Sequence, residues 1–260
     1  MFSFTLSEAC DSLSLRLLSG IAMQTVTLSL YRFDRILTRG WLLGQMALAR
    51  RPLGRMPGLE FWKLCGSGTG EGFTPRPNWA VWAILGVWRD AGHAREGLAQ
   101  PPFARWRARS DEACTFTLQP SAARGAWSGL APFAAHEATG GASDGPIAVL
   151  TRATIRPQRV WRFWARGPDI SARIGQDPNV AFKIGIGEVP WLHQVTFSVW
   201  PDVQSMAAFA RRGPHAEAIR AVREEGWFSE ELYARFRICG VTGRWQGQDP
   251  LANLSTKEAA

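Results

Sequence analysis

The clearest pattern in the chain is an alternation of apolar residues with small or polar ones between positions 179 and 200. A period of two is typical of strands that bury one face. The first run covers residues 180–188, Pro190 interrupts it, and a second run begins at His193. The pattern predicts an antiparallel hairpin, with His193 at the start of the second strand on its apolar face.

Helical spacing follows the hairpin, and a Gly-Pro pair at 213–214 begins a second helical segment. In that segment His215 shares one face with Ala218 and Ile219. The dipole near a helix N-terminus disfavours the imidazolium, so we expect a neutral His215 that can bind a metal. A hydrogen-bonded core histidine is the alternative. His193 is a second candidate ligand, or else a structural residue.

The two halves of the chain repeat one order of elements: strand, helix, strand, strand, helix, strand. They also resemble each other in sequence, in three matched pairs: FWKLCG at 61–66 with FKIGIG at 182–187, AILGVWRD at 83–90 with VTFSVWPD at 195–202, and PPFARWRA at 101–108 with GPHAEAIRA at 213–221. This is an internal duplication. In the third pair Phe103 stands where His215 does, so only the second half carries the candidate ligand.

The repeated order predicts an α+β fold in which two tandem ferredoxin-like βαββαβ units close face to face into a barrel. The predicted boundaries are an N-terminal extension at 1–22, a first unit at 23–119, an Ala/Gly/Ser-rich linker at 120–146, a second unit at 147–246 and a tail at 247–260.

Composition places the chain among soluble globular proteins, with 46% hydrophobic and 20% charged residues in 260. Thirteen tryptophans against two tyrosines suit a large apolar ligand, or simply an aromatic core. No apolar run reaches the roughly 18 residues needed to span a bilayer. Four widely spaced cysteines match no metal or redox motif and are expected to be free thiols.

A net charge of +8 favours an anionic partner. The predicted strands lack the basic, aromatic pattern of RNA-binding sheets, so we expect no nucleic-acid partner. The glycine-rich stretch 66–72 does not open directly into a helix, because Phe73, Pro75 and Pro77 follow it, and it is not a dinucleotide fingerprint. It is expected to be a hairpin loop that borders a pocket.

Four segments resemble the spheroidene monooxygenase family of carotenoid biosynthesis in phototrophic bacteria: QTVTLSLYRFD, DPNVAFKIGIGEVPWLHQVTFSVWPD, SMAAFA and GPHAEAIRAVREEGWFSEELYARF. The similarity spans residues 23 to about 245. It implies a fold of the dimeric α+β-barrel superfamily, and a haem b iron enzyme that hydroxylates an acyclic carotenoid twice at C2. The resulting geminal diol would lose water to give the 2-ketone.

The resemblance also implies partners and a site. Electrons would come from reduced ferredoxin and the oxidant would be O2. The iron ligand would be His215, with His193 as the alternative, and we place Lys183, Trp191, Phe197 and Ile219 in the substrate pocket. The protein would be cytoplasmic, with peripheral contact to the inner or photosynthetic membrane. The alternative function is a non-catalytic barrel that binds haem or an apolar ligand.

Overall fold

Each half of the chain contributes four strands to one sheet. The computed structural model describes residues 23–70, 72–135, 145–165, 179–211 and 225–255. The strands are β1 (Thr25–Arg32), β2 (Leu59–Gly68), β3 (Pro77–Trp88), β4 (Glu112–Gly125), β5 (Ile147–Ile155), β6 (Phe182–Gly187), β7 (His193–Trp200) and β8 (Phe228–Gly243).

The described helices are concentrated in the first half. They are α1 (Ile36–Leu48), α2 (Arg50–Leu53), α3 (Ala91–Leu98), α4 (Phe103–Arg109), α5 (Val203–Arg211) and α6 (Ala252–Ser255). A 3₁₀ turn at Pro157–Arg159 leads into helical residues 160–165. Within the described ranges, no helix has the length and apolar character needed to cross a bilayer.

The eight strands close into one antiparallel barrel in the order β1-β3-β2-β6-β7-β5-β8-β4. The first four strands lie in the order β4-β1-β3-β2, and the last four repeat it as β8-β5-β7-β6. Both halves therefore have the same arrangement, with strands and helices in the sequence of a ferredoxin-like unit. The predicted fold, two such units closed into an α+β barrel, is confirmed.

The two seams between the units differ in length. Strands β4 and β8 pair over eleven positions, from Cys114 opposite Gly243 to Gly125 opposite Leu232. Strands β2 and β6 pair at two positions only, Gly66 with Gly187 and Ser67 with Ile186. One seam is a long ladder with two register shifts, whereas the other is a short contact.

Two predicted boundaries shift. The first strand set does not end at residue 119, because β4 continues to Gly125 and includes the start of the predicted linker. Pro120 is accommodated because the register shifts between Pro120 and Ala122, where a missing N–H is tolerated. At the other end, Leu251 and Leu254 of the predicted tail pack against the barrel core. The predicted extension at 1–22 lies outside the described residues.

The interior of the barrel is filled by apolar side chains from its strands. The ring of Phe116 lies 5.1 Å from that of Phe182 and 5.0 Å from that of Phe197, measured between centroids. Val26, Leu28 and their inward-facing neighbours are fully buried. The middle of the barrel is therefore a packed core.

A second core fills the layer between the sheet and the helices of the first unit. Trp88 of β3 packs against Phe103 of α4, with ring centroids 5.6 Å apart. Tyr31 of β1 makes an edge contact of 5.5 Å with Trp106 of α4. All four side chains are buried. Large aromatic residues thus occupy the outward face of this half of the barrel.

Candidate functional site

A groove lies at the short seam, where β2 meets β6. It has a volume of about 230 Å³. Both units contribute to its walls, which are mostly aromatic, proline and glycine residues, among them Trp79, Trp82, Pro75 and Gly66 from the first unit and Trp164, Trp191, His193 and Gly187 from the second. The groove is therefore an apolar, aromatic-lined surface.

The loop between β2 and β3 crosses the seam and lies on β6. Gly72 of this loop, with a φ of +93°, touches Gly185 of β6, and a Cβ on Gly72 would lie 1.8 Å from the Gly185 carbonyl oxygen. The Trp191 indole donates a hydrogen bond of 2.8 Å to the carbonyl of Pro75. The Gln194 amide donates one of 3.4 Å to the carbonyl of Gly72. The glycine-rich loop therefore borders the groove and joins the two units.

His193 begins β7 and lines the groove. Its side chain is 22% exposed, and its Nδ1 atom lies 3.4 Å from Glu188 Oε2 without the alignment of a hydrogen bond. Burial lowers the pKa of His193, and this effect outweighs the opposing charge of Glu188. The ring is therefore neutral at pH 7.

Glu188, which follows β6, is the centre of a cluster of charged side chains. Its Oε1 atom lies 2.8 Å from Lys63 Nζ. Its Oε2 atom accepts a hydrogen bond of 2.7 Å from the Trp127 indole and lies 3.9 Å from Arg152 Nη2. Lys63 belongs to the first unit and Arg152 to the second, so this carboxylate connects the units beside the groove.

Arg152 is the most deeply buried charge of the cluster, with 1% of its side chain exposed. It forms an ion pair with Glu230, and Glu230 also accepts hydrogen bonds from the N–H groups of Ser128 (3.1 Å) and Gly129 (2.6 Å). Burial raises the pKa of Glu230, but these hydrogen bonds and the charge of Arg152 together hold that pKa below its ordinary value. Glu230 therefore remains ionised and balances the buried charge of Arg152.

This cluster was not predicted from the sequence. Its members come from four separate parts of the chain, and closure of the barrel brings them together. A signal was present in β5, where Arg152 follows Ala148 and Leu150 on the inward face of the strand. A charged residue on the apolar face of a buried strand indicates a buried partner.

The outward face of the second unit differs from that of the first. Strand pairing fixes the equivalence, because Thr25 lies opposite Trp88 in the first unit and Ile147 opposite Trp200 in the second. On this register, four buried large residues of the first unit correspond to smaller or more polar ones in the second: Tyr31 to Ala153, Leu64 to Gly185, Trp82 to Gln194 and Ile84 to Thr196.

The same contrast extends to the third pair of segments that resemble each other in sequence. In the internal alignment, Phe103 and Trp106 of the first unit correspond to His215 and Ala218. Phe103 and Trp106 are fully buried. At these aligned positions the second unit therefore has smaller or more polar residues, one of them a histidine, where the first unit has aromatic or large aliphatic ones.

The residues that the sequence assigned to the site do not all lie together in the structure. His193 and Trp191 lie together at the groove, and Trp191 is 53% exposed. Lys183 points outward from β6, 5.4 Å from the centroid of the Phe73 ring, and lines a different, more polar pocket. Phe197 is fully buried in the barrel core and does not reach the groove, because it lies on the inward face of β7.

His215 and Ile219, the remaining assigned residues, lie outside the described residues. In the part of the chain that the structure describes, no three His, Cys, Asp or Glu side chains gather as they would around a metal ion. Haem iron needs only one protein ligand, so haem requires a separate test of fit.

The groove at His193 is too small for haem. Its volume of about 230 Å³ is below the roughly 300–1,000 Å³ of ordinary small-molecule sites, and haem is among the larger cofactors. The outward face of the second unit fits a flat macrocycle better, because Ala153 and Thr196 present only small, partly exposed side chains there.

Comparison with known proteins finds relatives that all have the same name. The chain is 53% identical to spheroidene monooxygenase of Rhodobacter capsulatus over 233 residues, which cover 89% of this chain and 97% of the relative. It is 53% identical to the Cereibacter sphaeroides protein of that name, over 90% of this chain and 72% of the relative. The Rubrivivax gelatinosus protein is 33% identical, over 81% and 80%. No protein-family model matches the chain.

Among solved structures, an aldoxime dehydratase superposes with a TM-score of 0.56 over 85% of this chain and 83% of its own, at 12% identity. A second, the aldoxime dehydratase OxdRE in complex with butyraldoxime, gives the same TM-score at 11% identity, over 85% of this chain and 81% of its own. Likeness at such low identity concerns the fold alone.

Proposed function

The chain belongs to the spheroidene monooxygenase family, and from that membership we propose that it is a carotenoid monooxygenase acting on an acyclic carotenoid such as spheroidene. The proposed reaction is two successive hydroxylations at C2, followed by loss of water to give the 2-ketone. The proposed requirements are haem b, O2 and reduced ferredoxin. The identity of 53% to two relatives of this name is the observation that carries the proposal.

We place the haem against the outward face of the second unit, with His215 as the iron ligand. The support is the exchange of Tyr31 and Ile84 for Ala153 and Thr196 between the units. When bound, haem would supply the oxidising power that amino-acid side chains lack for attack on a non-activated C–H bond.

The groove is the proposed entry for the end of the carotenoid. A carotenoid is long and apolar, and C2 lies near one end of the acyclic chain. A groove of about 230 Å³ accepts only such an end. Trp79, Trp82 and Trp191 supply apolar contact surface there, and Gly187 and Gln194 of the same groove lie at the edge of the second unit's outward face.

The charged cluster has a proposed supporting role at the groove. Glu188 beside Nδ1 favours the tautomer of His193 that carries its proton on Nδ1, so Nε2 remains a hydrogen-bond acceptor. Because the ring is neutral, its Nε2 atom is free to accept a proton. Trp127 and Lys63 hold Glu188 in place for this role.

Charge supports the proposed electron donor and location, which come from the family membership. The chain carries +8, and ferredoxins are generally acidic, so a complementary encounter is favourable. The substrate resides in membranes, and the same excess of positive charge favours contact with an anionic bilayer surface.

The test is the ultraviolet-visible spectrum of purified protein produced with haem supply, beside His215→Ala and His193→Ala. We expect a Soret band in the wild type and in His193→Ala, and its loss in His215→Ala. Turnover of spheroidene with O2 and reduced ferredoxin is measured by chromatography of the carotenoid products. We expect turnover only in wild-type protein that retains haem.

Other outcomes would redirect the proposal. Loss of the band only in His193→Ala would move the ligand to β7. A Soret band without carotenoid turnover would favour the alternative function, a barrel that binds haem without oxygen chemistry. A wild type without a Soret band, even after titration with haemin, would overturn haem dependence.

A further inference from the structure

The outward face of α1 is apolar along its whole length. Ile36 is 81% exposed, Leu37 90%, Leu43 50% and Leu48 67%. The other exposed positions of the helix are two glycines and an alanine. Only Leu42 and Gln45 of this helix are buried. A surface helix normally turns such residues toward the core, so this face is built to contact something apolar.

Arginines lie at both ends of this face, and Asp34, which directly precedes Arg35, forms an ion pair with Arg32. Residues 35–59 contain five arginines and no Asp or Glu. Arg35 precedes α1, and Arg50 and Arg51 begin α2 directly after it; all three are exposed. An apolar helix face with a basic border is the pattern of a helix that lies in the headgroup region of a bilayer with anionic lipids.

The same helix reaches the groove. Met46 of α1 lines the groove together with Trp79 and Trp191, which are 52% and 53% exposed. Half-exposed indoles are favoured at the boundary between water and hydrocarbon. The apolar surface of α1 is therefore continuous with the groove opening.

We propose that α1 is a membrane-docking helix whose exposed face enters the headgroup region of an anionic bilayer and directs the groove opening toward the lipid. This deepens the proposed function, since it names the surface through which a membrane-resident carotenoid would reach the groove. A second copy of the chain is a poorer occupant, because a twofold contact through this face would bring the arginine borders of two copies together.

The test is flotation of the full-length protein with vesicles of phosphatidylcholine alone or with phosphatidylglycerol. The variant is Leu37→Gln/Leu48→Gln, and the matched control is Leu130→Gln, since Leu130 is 58% exposed on a loop elsewhere. We expect the wild type and the control to bind the anionic vesicles. The double variant is expected to bind them with at most about a tenth of the wild-type affinity. Arg51→Gln is expected to weaken binding more than Arg124→Gln, whose side chain lies over the Tyr233 ring.

Turnover separates this proposal from the proposed function. If both proposals are correct, the Leu37→Gln/Leu48→Gln protein oxidises carotenoid supplied in detergent at the wild-type rate. The same variant loses activity on carotenoid supplied in vesicles. Absence of turnover in every preparation would count against the enzyme assignment, while the flotation result would still decide on α1.

Three results would overturn the docking proposal. The first is equal vesicle binding by the wild type and the double variant, or no binding by either. The second is a wild-type dimer that does not float and that the double variant converts to a monomer. The third is vesicle binding that requires deletion of residues 1–22, which would make that segment the occupant of the face.

Discussion

Gly72 and Gly185 meet backbone to backbone across the short seam of the barrel. A Cβ on Gly185 would lie 2.5 Å from the Gly72 carbonyl oxygen, and one on Gly72 would lie 1.8 Å from the Gly185 carbonyl oxygen. Because the obstructing atoms belong to the main chain, no side chain can move aside. The contact holds the β2–β3 loop of one unit against a strand of the other.

We expect Gly185→Ala to destabilise the protein by about 1–3 kcal/mol, the usual cost of overpacking. Thermal unfolding followed by circular dichroism measures the effect. Gly240→Ala is the control, because Gly240 is also in a strand and a Cβ there meets nothing within 4 Å. Equal melting temperatures for the two variants would show that the loop adjusts freely.

Arg152→Met is expected to cost about 1–3 kcal/mol of unfolding free energy, because it leaves the partly buried Glu230 without its ion-pair partner, whereas Glu188 keeps Lys63. Urea unfolding measures the loss. Arg156→Met, an exposed change close by on the same segment, is expected to stay within about 0.5 kcal/mol of the wild type. If Arg152→Met/Glu230→Gln is no more stable than Arg152→Met, the two charges are not coupled as the ion pair requires.

His193 predicts a pH dependence of stability. Its pKa is lowered from the ordinary value of 6.5 mainly by burial. Below pH 6.5 the unfolded chain therefore binds a proton that the folded protein does not, and stability falls as the pH decreases from 6.5 toward the folded pKa. Unfolding free energies measured from pH 7.5 down to about 5 should decline less steeply in His193→Gln. Identical slopes would contradict the assignment.

Ala153→Tyr restores at the second unit the residue that fills the equivalent place in the first. If the outward face of that unit holds haem, the larger side chain should reduce haemin uptake in titrations followed at the Soret band. Ala108→Tyr, at an exposed position of α4, should bind haemin as the wild type does. Full haemin binding by a folded Ala153→Tyr protein would exclude this face as the site.

Much of the fold follows from periodicity. The alternation in each strand and the repeated order of elements predict both units, since a buried strand face and a covering helix have distinct periods. The end of β4 was not predicted, because residues 121–124 are Ser, Ala, Ala and Arg and show no alternation. That extension is stabilised by its neighbour β8, and a partner strand is invisible to local patterns.

The site was predictable only in part. His193 follows from the hairpin, whereas the cluster of Glu188, Lys63 and Arg152 depends on how the barrel closes. The apolar face of α1 was missed for a related reason, since a helical pattern fixes which residues share a face but not whether that face turns inward.

The unequal seams give the barrel a direction of opening. Two residue pairs join β2 and β6, against eleven between β4 and β8. The partial opening with the lowest free energy therefore separates the short seam, while the long seam acts as a hinge. Amide protons of the β2–β6 contact should exchange with deuterium well before those of β4. Since the groove lies along the short seam, transient opening there would enlarge the groove for a rod-shaped molecule while the rest of the barrel remains folded.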